Sequence, residues 1–93
     1  MKRKIVWSPE AVDDVESIYN FIARDSNAYA KSVVDKIIQT VKFIPDHPYA
    51  GRIVPEINQE TVREKLVFSY RLIYKISETE ILIVTVLHDK RLL

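Results

Sequence analysis

Seven consecutive positions late in the chain, Ile81 to Leu87, are apolar apart from Thr85, and few structures can hold such a run. It is too short for an ordinary helix and rich in β-branched residues, the mark of a strand buried on both faces and lying mid-sheet. Directly before it, Tyr70, Leu72, Tyr74 and Ile76 alternate with Arg71, Ile73 and Lys75, the period of a half-buried strand. The polar turn Ser77-Glu78-Thr79-Glu80 joins the two into a hairpin. The rest of the chain must therefore supply more sheet and something to cover it. His88, Asp89, Lys90 and Arg91 stand where the apolar strand ends, so a functional site is expected beside this hairpin.

The cover is read from two helical stripes. Ser8-Pro9-Glu10 opens the first helix: Ser8 suits the N-cap, Pro9 the first helical position, and Glu10 the positive end of the dipole. Val12, Val15, Tyr19 and Ile22 recur at spacings of three and four, which carries this helix to Ala23 or Arg24. After the break Asp25-Ser26-Asn27, a second stripe runs through Ala30, Val33, Val34, Ile37, Ile38, Val41 and Ile44 until Pro45 stops it. So short a connection makes an αα-hairpin, and neither helix is stable without an apolar face to lie on.

Three further stretches read as strands. Lys2 to Trp7 is short and β-prone, Arg52 to Glu56 is a short strand ended by Pro55, and Val62 to Phe68 alternates. In the last of these, Val62, Leu66 and Phe68 form an apolar side, with Glu64 an exception on it, while Arg63, Lys65 and Val67 occupy the other. The order reads β-α-α-β-β-β: an α+β fold in which an antiparallel sheet is covered on one face by the helical hairpin. The expectation is one domain over residues 1–93.

Composition narrows the chemistry. No cysteine is present, which removes disulfides, zinc–thiolate sites and a thiol nucleophile. The formal charge of +1 makes no case for nucleic acid, so an anion-binding surface has to come from arrangement. No run reaches the length of a membrane span, and Ile5-Val6-Trp7 is too short for a signal peptide's apolar segment, so a cytoplasmic protein is expected. Two isolated histidines make no metal site, and no cofactor motif occurs. If the helices cover the apolar faces, Arg63, Lys65, Arg71 and Lys75 share the opposite face, bordered by His88 and Arg91. Such a patch suits a phosphate backbone or an acidic partner segment.

The stretches WSPEAVDDVESIYNFI, GRIVPEI, VREKLVFSYRLIYKI and IVTVLHDKRLL together resemble toxins of the RelE/ParE superfamily, the toxic half of bacterial type II toxin–antitoxin modules. The resemblance spans nearly the whole chain in the right order. It places Arg63 at the family's Arg-Glu position, Arg71 at its Tyr-Arg position and Arg91 at its closing arginine. It implies a growth inhibitor neutralised by a cognate antitoxin, whose tail would cover the helical hairpin at Val12, Val15, Tyr19, Val34 and Ile38.

Two activities divide that superfamily. RelE-like members cut mRNA on the ribosome; ParE-like members, the plasmid-stabilisation type, poison DNA gyrase. The nucleases' lysine-rich strand is thin here, reduced to Lys65 beside Arg63, and their C-terminal catalytic tyrosine or histidine has no match after Arg91. The expectation is therefore a ParE-like gyrase poison, not an enzyme. Arg63, Lys65, Arg71, Lys75, His88 and Arg91 are the target-binding candidates. The alternative is a ribosome-dependent endonuclease using Arg63, Arg71, His88 and Arg91; a third reading is an inactive antitoxin-binding paralogue. No direct operator-DNA contact is expected of this chain.

Overall fold

The computed structural model describes residues 2–93. In chain order it contains β1 (Lys4–Trp7), α1 (Pro9–Ala23), α2 (Asn27–Phe43), two single 3-10 turns (Ile44–Asp46 and Pro48–Ala50), β2 (Arg52–Ile53), β3 (Val62–Val67), β4 (Tyr70–Ile76) and β5 (Glu80–His88). The sheet order is β1-β5-β4-β3-β2. This is the expected α+β arrangement, with two refinements. The stretch at 52–53, read as a strand but left uncounted in the order β-α-α-β-β-β, pairs with β3, giving five strands. β1 joins β5 in parallel, so the sheet is mixed. Only strands joined by tight turns are forced to be antiparallel; β1 and β5 come from opposite ends of the sequence and carry no such constraint.

The helix starts follow from their caps. Ser8 Oγ accepts from the Ala11 amide at 3.0 Å, with Pro9 at the first helical position, and Ser26 Oγ accepts from the Tyr29 amide at 3.0 Å. Each cap satisfies an amide the helix leaves orphaned. Ser8 also donates to the carbonyl of Val84 at 2.8 Å, fastening the mouth of α1 to β5. Ile18, Val33, Ile37 and Val41 then bury against Leu72, Tyr74, Ile76, Ile81, Ile83 and Val86. Each such aliphatic side chain contributes roughly 1.5–3 kcal/mol of burial.

The β4–β5 register slips between Ile73 and Tyr74: Ile73 faces Thr85 while Tyr74 faces Ile83, so Val84 is left over. The bulge is filled from above. Asp14 of α1 accepts from Thr85 Oγ1 at 2.5 Å and from the Val86 amide at 3.0 Å. The Thr85 hydroxyl and the Val86 amide, next to the bulge, are thereby satisfied by the helix that covers them.

The faces of β3 correct one expectation. The turn Phe68–Ser69 has two residues, so Val67 stands opposite Tyr70, Lys65 opposite Leu72 and Arg63 opposite Tyr74. Directly paired residues share a face. Arg63, Lys65 and Val67 therefore lie on the helix-covered side, and Val62, Glu64 and Leu66 on the open side with Arg71, Ile73 and Lys75. The four cations do not form one patch. Part of the open face is itself covered: Val54, Val62 and Ile73 make a small second core with Val84 and Leu87.

Candidate functional site

Arg71 is the centre of the open face. It is only 5% exposed, an unusual position for an arginine, and its guanidinium is almost fully engaged. Nε donates to Glu64 Oε1 at 2.7 Å; Nη1 and Nη2 donate to the two carboxylate oxygens of Glu56 at 2.7 and 2.8 Å; Nη1 also donates to the Arg91 carbonyl at 3.0 Å. Glu64, 2% exposed, is shared with a second arginine, since Arg52 donates to its Oε2 through both Nε and Nη2. The backbone amide of Leu93 donates to Glu56 at 3.2 Å.

Two arginines and two glutamates thus close into a network of zero formal charge. Burying either ion alone is prohibitive, whereas the paired and hydrogen-bonded set is tolerated. The Arg71 hydrogen bond is the main reason that the Glu56 carboxyl sits low, at about 2; its own amide and that of Leu93 add to the effect. The Arg71 guanidinium is correspondingly held charged, first by Glu56 and then by Glu64. This arrangement ties β2, β3, β4 and the segment after β5 together. It leaves Arg71 one N–H with no assigned partner.

The remaining candidates are dispersed. Arg63, on the helix side, braces the loop before β2: Nε donates to the Glu60 carbonyl at 2.8 Å, Nη1 to those of Tyr49 and Gly51 at 3.1 and 3.0 Å, and the guanidinium lies 5.2 Å from the Tyr49 ring centre. Lys65 shares that face, and Lys75 is exposed on the other. His88 pairs with Tyr70, while the neighbouring pair Arg71–Leu87 points the other way. Arg71 and His88 therefore project from opposite faces of the sheet. Arg63 and His88 do share a face but stand about 13 Å apart along β4, four residues at strand rise. The structure brings Arg71 to the backbone of Arg91, not to its side chain, and assembles no set of Arg63, Arg71, His88 and Arg91.

Nor does a general base stand out. His88 Nδ1 accepts from the Lys90 amide at 3.2 Å and lies 3.1 Å from Asp89. Burial pushes the phenols of Tyr70 and Tyr74 up, and Tyr74 Oη is already committed to the Pro48 carbonyl at 2.7 Å. Among the described residues, no cluster of three or more histidines and acids is placed to hold a metal ion. Among the same residues, no helix is long and apolar enough to cross a membrane.

On the opposite side of the molecule, Val12, Val15 and Ile38 line a shallow groove of about 320 Å³ with Trp7 of β1. Val12 and Ile38 are exposed although apolar, Tyr19 is exposed further along α1, and Val34 is half-buried on α2. The helical hairpin thus keeps an apolar outer seam besides the one it buries.

Arg52, Glu56 and Glu64 were not among the residues singled out from sequence, yet they complete the Arg71 network. The signal was present. Glu64 interrupts the apolar alternation of β3, and a lone acid in that place calls for a buried cation.

The family described as "ParE toxin of type II toxin-antitoxin system, parDE" matches residues 5–93. No curated protein matches the chain in sequence. Among solved structures, the chromosomal ParDE toxin–antitoxin system of P. aeruginosa superposes with a TM-score of 0.76 at 19% identity, over 94% of this chain and 96% of that one. The YoeB dimer of Staphylococcus aureus gives 0.64 at 20% identity over 95% and 98%. The E. coli DinJ–YafQ toxin–antitoxin complex gives 0.67 at 14% identity over 95% and 93%. At these identities the likenesses bear on the fold.

Proposed function

Because the chain belongs to the ParE toxin family of type II toxin–antitoxin systems, we propose that it arrests growth by poisoning DNA gyrase and is neutralised by a cognate antitoxin. The observation that carries the choice of target is the separation of Arg71 and His88 onto opposite faces of the sheet. Cleavage of an RNA backbone needs a group that activates the 2′-hydroxyl and a cation for the developing charge, held around one phosphate. Here the best cation is neutralised by Glu56 and Glu64, and the only imidazole at that end lies across the sheet. A surface that binds and stalls a target asks for no such convergence.

The antitoxin docks an apolar helix or strand into the seam of Trp7, Val12, Val15 and Ile38, with Tyr19 and Val34 extending it along the hairpin. ParDE and YoeB–YefM are toxin–antitoxin complexes with this fold, which supports such a partner. Operator contacts are left to the antitoxin.

The deciding experiment sets the purified chain against gyrase and against a reconstituted translation system side by side. Gyrase–DNA cleavage complexes with intact mRNA are expected. Cuts in ribosome-bound mRNA that disappear in Arg71→Ala or His88→Ala would instead make the chain a RelE-like nuclease. Normal growth despite abundant protein would leave an inactive antitoxin-binding paralogue.

A further inference from the structure

Away from both the Arg71 network and the hairpin seam, a third surface concentrates exposed rings. One cavity of about 290 Å³ opens between the α1–α2 turn and the β3–β4 turn, and a second of about 320 Å³ between α1 and the end of β5. They share Phe21, Tyr70 and His88 in their walls, so the two adjoin as one grooved surface. Phe21 is 65% exposed, Phe68 55% and Tyr29 52%. Tyr29 and Phe68 meet edge to face at 6.3 Å, as do Tyr70 and His88 at 5.8 Å. The exposed rings project from separate elements yet converge on one place, unlike apolar residues scattered singly over a surface.

Phe68 adds an independent observation. It occupies the tight β3–β4 turn with φ of 53°, a left-handed conformation that glycine or asparagine adopts with ease and a bulky residue only at a cost. Folding alone therefore favours another residue there. The strain holds an exposed aromatic ring over Tyr29, and backbone strain of this kind collects where it serves function.

We propose that this groove is the surface that engages the toxin's target protein, by seating a polypeptide segment with an aromatic or large apolar anchor. The inference rests on the gyrase reading above. Charge chooses the occupant. Asp25 lines one end of the groove and Arg91 the other, beside an Asp14 carboxylate already engaged by Thr85 and Val86, with His88 between the two ends. Arg24 stacks 5.7 Å over Phe21, and among the described residues neither Arg24 nor Arg91 is paired with a carboxylate. A segment carrying an acid toward Arg91 and a cation toward Asp25 matches both ends. A nucleic-acid strand, with a phosphate at every step, would meet Asp25 and Asp14 along its path. The Arg71 network now has a further consequence: it fixes the backbone of Arg91, a residue that also lines this groove.

The test compares native chain, Phe68→Gly, the double variant Phe21→Ser/Phe68→Gly, and Val12→Glu in the hairpin seam. Each is assayed for affinity to purified DNA gyrase, affinity to the antitoxin, thermal midpoint and growth arrest. Removing aromatic anchors from an interface core costs at least about tenfold in affinity. The double variant is therefore expected to bind gyrase at least about tenfold more weakly and to lose arrest, while binding antitoxin normally. Phe68→Gly, relieved of strain, keeps or raises the thermal midpoint, so loss of function cannot be ascribed to unfolding. Unchanged gyrase affinity and arrest in the double variant overturn the inference. If the native chain arrests growth without binding gyrase, the gyrase reading falls, and the groove is judged by whether the double variant still arrests. A single-stranded oligonucleotide that competes for the groove overturns the choice of a protein occupant. A native chain that neither arrests growth nor binds gyrase overturns both proposals.

Discussion

Arg71 Nε donates to Glu64 Oε1 at 2.7 Å, and the two side chains are 6% and 1% exposed, so one buried charge is the condition for burying the other. Removing Glu64 leaves Arg71 Nε buried without an acceptor, although Glu56 still holds Nη1 and Nη2. Glu64→Ala is expected to cost about 1–3 kcal/mol, measured by urea denaturation, a sizeable share of the stability of a domain this size. The double variant Glu64→Leu/Arg71→Met should be less destabilised than the sum of its single changes. Additive losses would mean that the pair is not coupled.

Glu56 ties the same network to pH. Its folded value, about 2, lies below its ordinary value of 4.5. A depressed carboxylate contributes stability that is fully present above about pH 4.5 and is lost as pH falls toward 2. Native chain and Glu56→Gln should therefore differ most in thermal midpoint at neutral pH, and the gap should close through the window from about 4.5 to 2. A constant gap across that window would show that Glu56 acts through packing rather than charge.

Gly51 is constrained by space and not by backbone conformation, since its φ is an ordinary −71°. A Cβ there would press on Tyr74 Oη and come within 2.8 Å of the Glu64 carbonyl. Gly51→Ala should destabilise by about 1–3 kcal/mol through overpacking. Tyr74→Phe, which removes the bond to Pro48 and vacates that space, should cost about 1 kcal/mol alone and soften the Gly51→Ala penalty. Denaturant midpoints of the four species complete the cycle.

The outer seam of the helical hairpin gives a prediction about partner choice. Val12→Glu and Ile38→Glu fall on exposed positions, so their thermal midpoints should stay close to that of the native chain. Each should weaken antitoxin binding by at least about tenfold, read by calorimetry. Co-expressed antitoxin should then fail to rescue growth. Rescue at native efficiency would place the antitoxin elsewhere.

Particular residues explain how far the sequence could be read. The helices were legible because Ser8, Pro9 and Pro45 mark their limits and the apolar period is unambiguous. The face of β3 was misassigned because alternation defines two sides without saying which is covered, and one step of register exchanges them. The two-residue turn at Phe68–Ser69 held the answer, since it puts Val67 under the helices with Tyr70. The pairing of β1 with β5 had no local signal, being long-range and without a turn. At the site, Arg71 stood out as a cation, but its neutralisation depends on Glu56 and Glu64 arriving from elsewhere in the chain.

The parallel pairing of Lys4–Trp7 with Glu80–Ile83 also sets an order of events during synthesis. The first strand made has no neighbour until nearly the last one exists, and the helical hairpin has no sheet to lie on until β4 and β5 have formed. Without β5, therefore, β1 lacks its only neighbouring strand and the hairpin lacks much of its floor, so the two ends of the described fold form together.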